Sequence, residues 1–260
     1  MTGNRWAELR QVGFAALDHA AAVRTATELL ALGPGFGDPL LAALHLADFT
    51  APVGPGTYLE VLAPTTPDHS VARWLSRVGG SSGWVLSVQV PSLDGVKERA
   101  AEHGVRIAVG TQAMGHDIIQ LHPLDAGVLL ELDAFLPRDA WFWDDLPAAQ
   151  AAHAARTAQA AHPARTAQAD DIVAVEVAVD PAAGLRDPVA MAQAWAAIIG
   201  IGPPVATADG AALALGYRTI RLVPARSGRT GIVAVDVHAT DREHGIGVSG
   251  ELCNTLIRFV

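Results

Sequence analysis

Apolar and polar positions alternate with period two in short runs, and helical stretches separate the runs at a recurring interval. Arg10–Ala16 reads as a strand. Asp18 then caps a helix that continues through Leu32 and ends at Gly33-Pro34. Leu44–Phe49 and Thr57–Ala63 read as strands divided by a Pro/Gly turn, and Asp68–Val78 as a helical connector stopped by Gly79-Gly80. The order then recurs: a strand at Trp84–Val90, a helix over Leu93–His103 ended by Gly104, and strands at Val105–Val109, His116–His122 and Val128–Asp133. Each half is a β-α-β-β-β unit.

Trp141–Ala169 breaks this rhythm. It holds two near copies of one nonapeptide, beginning at His153 and at His162. The segment is Ala-rich, Pro163 interrupts it, and it shows no strong apolar stripe, so it reads as a linker that Trp141 and Trp143 pack onto a domain. After it, Asp171–Val179 is a strand and Asp187–Ile198 a helix, with Asp187 as N-cap and Pro188 in the first turn. Ala211–Leu215, Tyr217–Val223 and Gly231–His238 are strands, and the last opens a shortened fourth unit ending in Thr255–Val260. The expected architecture is α+β, with tandem βαβββ modules forming two cups. Residues 1–140 make a first domain, 141–169 a linker and 170–260 a second, degenerate domain.

Composition narrows the partners. The net charge of -9 argues against nucleic acid or an anionic membrane surface. The single Cys253 excludes a disulfide framework. No apolar run is long enough to span a bilayer and the N-terminus lacks a signal-peptide plan, so a cytoplasmic protein is expected. The expected partner is a small molecule, and homodimerisation stays open.

Two carboxylates stand out, because mid-strand Glu is disfavoured and costly to bury. Glu60 lies in TYLEVLAP and Glu131 in GVLLELD. Strand alternation places Tyr58 beside Glu60. On the other strands it offers Gln11, His45, Phe49, Ser87, Gln89, His116 and Gln120 to the same polar floor. The opposite parity (Val12, Phe14, Val61, Leu86, Val88, Leu121) is apolar. Glu60 is the candidate general base and Glu131 the complementary acid; Gln11, His45, Tyr58, Ser87, Gln89, His116 and Gln120 are the candidate ligand contacts. The bland alternative is that both glutamates are hydrogen-bonded structural residues.

EVLAP, the 68–78 connector, and LHP followed by GVLLEL resemble the vicinal-oxygen-chelate superfamily, and methylmalonyl-CoA epimerase most of all. The whole chain is also similar to two-domain glyoxalase-like proteins of actinobacteria. The resemblance implies paired modules that curl into cups, with a divalent metal held by one residue from each of four strands. Those positions fall on Gln11, Glu60, Val85 and Glu131, so both histidines of the pattern are missing. In the second half they fall near Val173, Ile220, Ile232 and Arg258. Neither a metal nor another cofactor is therefore expected. The leading expectation is a metal-independent acid/base isomerase, epimerase or lyase acting on a small carbonyl compound or acyl thioester. The alternatives are a resistance-type binding protein and a metal-dependent lyase or isomerase.

Overall fold

The computed structural model describes residues 5–160, 169–226, 228–239, 247 and 249–260. The first module comprises β1 (Glu8–Ala15), α1 (His19–Leu30), α2 (Pro39–Ala43), β2 (Leu46–Gly54) and β3 (Thr57–Pro64). α3 (Ser70–Val78) leads to the second module, with β4 (Ser82–Val90), α4 (Val96–Glu102), β5 (Ile107–Ala113), β6 (His116–Leu121), α5 (Pro123–Ala126) and β7 (Leu129–Ala134). α6 (Pro147–Ala160) precedes the third, which holds β8 (Ala169–Val179), α7 (Pro188–Ile199), β9 (Val205–Thr207), β10 (Gly210–Leu215) and β11 (Arg218–Pro224). The fourth retains β12 (Gly231–Ala239), β13 (Ser249–Leu252) and β14 (Thr255–Phe259).

One pairing rule recurs in every module: the first strand runs parallel to the last. β1 pairs β3, β4 pairs β7, β8 pairs β11 and β12 pairs β14, all in parallel. The intervening strands pair antiparallel, as β2 does with β3 and β6 with β7. Parallel neighbours need a crossover, and the helical stretch of each complete module supplies it. The tandem α+β module architecture follows the expected plan. In the first module the third antiparallel strand is reduced to one bridge, Phe36 to Thr50.

The helices begin and end where local chemistry dictates. The Asp18 carboxylate accepts from the Ala21 N–H and opens α1. The Asp187 carboxylate accepts from the Ala190 N–H, with Pro188 at the next position, and Gly200 in the left-handed region ends α7. α7 is apolar nearly all round and is buried from Met191 to Ile199 on most of its positions, as a core helix must be.

The sequence repeat suggests a division at the linker, into residues 1–140 and 170–260. Compactness groups the chain in an interleaved way. One unit is Met1–Arg10, Val85–Phe142 and Ala174–Val233; the other is Gln11–Trp84, Trp143–Val173 and Ala234–Val260. In the first unit Leu86, Val88, Leu121, Leu130, Trp195 and Ile220 are buried. In the second, Val12, Phe14, Val61, Leu30 and Leu75 are. Each such side chain contributes about 1.5–3 kcal/mol by leaving water.

Two expectations are corrected. Residues 147–160 form a helix, not a linker; the second nonapeptide copy, with His162 and Pro163, lies outside the described residues. No broad apolar stripe is needed, because α6 buries a narrow one of small residues: Ala149 and Ala152 are covered and Arg156 continues that face. On β2, the strand starts at Leu46, not Leu44, and runs on past Pro52 to Gly54, through an irregularity between Pro52 and Gly54. β2 has β3 as its ladder partner, so the missing N–H of Pro52 is tolerated.

Gly54 marks a close approach within the second unit. A Cβ there would stand 2.2 Å from the Asp170 carbonyl oxygen. Gly54→Ala is therefore expected to destabilise the protein by about 1–3 kcal/mol, as overpacking does. A lowered denaturant midpoint is the readout, and an unchanged midpoint would mean that β8 does not begin against the end of β2.

Candidate functional site

The strand registers sort the polar residues. In the second unit Gly13 lies beside Glu60 and Gln11 beside Tyr58, on one face of the β1–β3 pair. In the first unit Ser87 lies beside Glu131 and Gln89 beside Asp133, while Gln120 faces Glu131 across β6–β7. Gln11 and Val85 stand two residues before the partners of the two glutamates, so these positions are internally equivalent.

Around Glu131 the polar floor is built as its sequence parity suggests. Ser87 Oγ donates to Oε1 at 2.8 Å and Gln120 Nε2 donates to Oε2 at 2.6 Å. Two neutral donors thus orient a partly exposed carboxylate. Gln89 turns away from it. Its Oε1 accepts from Arg10 Nε at 2.7 Å, and its Nε2 donates to the carbonyls of Phe135 and Pro137.

Beside Glu131, His116 Nε2 lies 3.2 Å from Asp133 Oδ1, and both side chains are buried. The distance would suit an ion pair. Yet burial lowers the His116 pKa, against smaller opposing effects of Met114 and Asp117. Burial, and then the charge of Glu131, raises Asp133 well above the carboxylate range. Both shifts favour an uncharged pair, with Asp133 protonated and donating to Nε2. Phe135, Trp141 and Phe142 surround the imidazole.

Around Glu60 the register corrects the expected floor. Thr50 faces Glu60 and Asp48 faces Leu62 on β2–β3, whereas Phe49 faces Val61 on the other side. His45 is not on a strand. It is exposed in the turn before β2, with φ 60°, and its carbonyl accepts from the Thr65 N–H and hydroxyl. Asp48, which strand reading passed over, lies beside Glu60, and a hydrogen bond between two carboxyls needs one of them protonated. The Asp48 pKa is pushed up to about 6, chiefly by burial and also by Asp38, against hydrogen bonds from the Asp38 N–H, Glu60 and Phe49. The Asp38 N–H donates to Oδ2 at 2.6 Å.

Gln11 and Tyr58 are engaged from above. Trp143 Nε1 donates to Gln11 Oε1 at 2.8 Å. The Tyr58 hydroxyl donates to Asp144 Oδ1 at 2.6 Å and contacts His153 Nε2 at 2.8 Å. With the phenol proton spent on Asp144, the imidazole is the donor of the second bond. The His153 pKa is lowered by burial and by Arg156, while Asp144 opposes. Asp144 and His153 were legible only as members of the supposed linker.

The metal pattern does not fit these residues. Val85 offers no donor atom, the Gln11 carboxamide oxygen is taken by Trp143, and both oxygens of Glu131 are taken by Ser87 and Gln120. Among the described residues no group of three His, Cys, Asp or Glu is placed to hold an ion. In the fourth module the glutamate position changes character: Arg258 lies beside Asp236 and binds it at 2.5 Å. In the third, Arg221, next to Ile220, binds Glu176 at 3.1 Å.

The module topology is that of a vicinal-oxygen-chelate, or glyoxalase-like, fold. A triple mutant of 4-hydroxymandelate synthase from Streptomyces coelicolor matches over 91% of this chain and 72% of its own, at 17% identity and a TM-score of 0.63. Methylmalonyl-CoA epimerase from Mycobacterium tuberculosis is similar over 53% of this chain and 95% of its own, at 24% identity and TM-score 0.42. A hypothetical protein from Bacillus halodurans C-125 covers 51% and is covered to 96%, at 20% identity and TM-score 0.43. No known family profile matches the sequence. No curated protein matches it. Among the described residues no helix is long and apolar enough to cross a membrane.

The raised Asp48 pKa has a signed consequence. A carboxyl that holds its proton more tightly when folded stabilises fully below its unfolded pKa, 3.8, and loses that contribution as pH rises through about 6. Asp48→Asn keeps the shape and removes the titration. Its stability relative to the unsubstituted protein should rise by roughly 1–3 kcal/mol between pH 4 and pH 7. Denaturant unfolding across that range checks it, and a pH-independent difference would show that Asp48 titrates normally.

Proposed function

We propose that the protein is a glyoxalase-fold enzyme that moves a proton next to the carbonyl of a small carbonyl compound or acyl thioester, as an isomerase, epimerase or lyase. The observation that carries this reading is the Asp48–Glu60 pair. Two carboxyls that share one proton, with one of them titrating near 6, can alternate as base and acid close to neutral pH. Glu60 holds the pair's proton at rest and donates to Asp48; passing that proton to Asp48 leaves Glu60 as the base that takes the proton from the carbon beside the carbonyl. Tyr58, Gln11 and Thr50 line the same face. Glu131, oriented by Ser87 and Gln120 on its own module, is a second carboxylate able to exchange a proton.

Metal independence is part of the proposal and rests on the donor set. A valine, an engaged carboxamide and a doubly bonded carboxylate leave too few ligands for a tight first-row site. Elemental analysis of purified protein should find well under one Zn, Fe, Co or Ni per chain, and chelation should not alter ligand binding. One equivalent of metal, lost to chelator together with binding, would favour the metal-dependent reading.

Retention as a binding protein without turnover is the second reading, favoured by the aromatic surroundings of His116. Exchange of substrate α-protons in deuterated water separates the two. Glu60→Gln preserves shape and removes basicity, so it should lower exchange about 10²–10⁴-fold while leaving the dissociation constant within a few-fold. Unchanged exchange in that variant, or no exchange for any ligand that binds, sinks the catalytic reading.

A further inference from the structure

The face that carries Gln11, Tyr58 and Glu60 is not open to solvent. Tyr58 is 0% exposed and Glu60 4% exposed. The cover is a single stretch of the same chain, from Trp143 into α6. It makes three polar contacts with the residues flanking Glu60: Trp143 to Gln11, Asp144 to Tyr58 and His153 to Tyr58. Ring contacts accompany two of them. The Trp143 ring meets Phe36 edge-on at 5.5 Å, and the His153 ring meets Tyr58 at 5.6 Å. Further along, the α6 backbone lies close to Gly33, where a Cβ would be 3.5 Å from the Arg156 nitrogen. The face continues towards Leu62, which α3 covers through Val71 and Leu75. Glu60 thus lies between a packed end under α3 and an end fastened mainly by side-chain hydrogen bonds.

We propose that Trp143–Ala160 is a displaceable strap over the Glu60 face, latched by the Tyr58 hydroxyl and the Trp143 indole, and that its release admits the ligand. The composition of the strap suits this. α6 itself buries small side chains, Ala149 and Ala152, so the apolar area that opening exposes is chiefly the Trp143 indole and the Phe36 and Tyr58 rings it lies near. Arg156 is buried beside the pair of alanines with Nη1 lacking a hydrogen-bond partner among the described residues, a group that gains by reaching water. The strap also explains why chemistry-bearing residues sit inside an Ala-rich segment. Asp144 and His153 are placed to hold Tyr58 in the closed state, and opening frees the phenol to donate to a ligand oxygen. The role as a gate rests on the reading of Glu60 as the base, whereas the latch itself does not.

Amide hydrogen exchange with residue-level mass spectrometry tests the strap without any assay of activity. Amides of 147–160 should exchange at least ten times faster than those of β1 and β3 in the unsubstituted protein, through local opening. Tyr58→Phe removes both latch bonds and keeps the ring, and should speed exchange in 147–160 a further tenfold while leaving β1 and β3 unchanged. Trp143→Phe should act in the same direction through the Gln11 contact. Carbodiimide labelling of Glu60 should rise in step with either variant. If 147–160 exchanges only together with β1 and β3, or if neither variant changes its exchange, the strap is a permanent part of the core and the proposal falls. If the strap opens as expected while Glu60→Gln leaves proton exchange unchanged, the latch survives, and the catalytic reading fails together with the gating role that rests on it.

Discussion

Everything about the site follows from the parallel pairing between the first and last strand of each module. A parallel ladder sets side chains of equal register shoulder to shoulder on one face. Whatever stands on the first strand therefore decides what the last-strand residue can do. Opposite Glu60 stands Gly13, which has no side chain to engage the carboxyl, so its carboxyl neighbour is Asp48 on β2, across the other edge of β3. Opposite Glu131 stands Ser87, whose hydroxyl binds and orients the carboxylate. In the fourth module the same ladder sets Asp236 against Arg258, and the two neutralise one another. One geometry thus yields a proton-sharing pair, an oriented carboxylate and a closed ion pair.

Much of this was readable along the chain. The capped helices at Asp18 and Asp187, the period-two strands and the twin glutamates follow from local chemistry, and the structure places them accordingly. The polar parity of β4, β6 and β7 was also legible, because those strands are regular and a single correct position fixes all the others. The failure on β2 has the same origin. A left-handed turn at His45 and the irregularity at Pro52–Gly54 set its register, and neither leaves a period. A register set from outside the strand shifted the floor by one residue, replacing His45 and Phe49 with Asp48 and Thr50.

The α6 segment was misread for a different reason. Helical pattern reading seeks a broad apolar stripe, but a helix that packs through alanines against a glycine needs only a narrow one. Ala-rich repeats therefore look like linkers even where they are seated. The histidine within the repeat carried the missing signal. His153 recurs one nonapeptide later as His162, so the repeat argued against a special role, and only the Tyr58 contact reveals what the first copy does.

Burial and reactivity are coupled at Glu60. The same desolvation that raises the Asp48 pKa towards neutrality also keeps water, and any ligand, away from the pair. A permanently open face would hydrate both carboxyls, return Asp48 towards 3.8 and dissolve the shared proton. A permanently closed one would hold a tuned pair that never meets a ligand. A cover fastened by a few hydrogen bonds and one indole, with alanines on the buried side of its helix, reconciles the two. It maintains the low-dielectric surroundings, and an arriving apolar ligand would restore the exclusion of water that the strap had provided, offsetting the exposure of Trp143 and Tyr58.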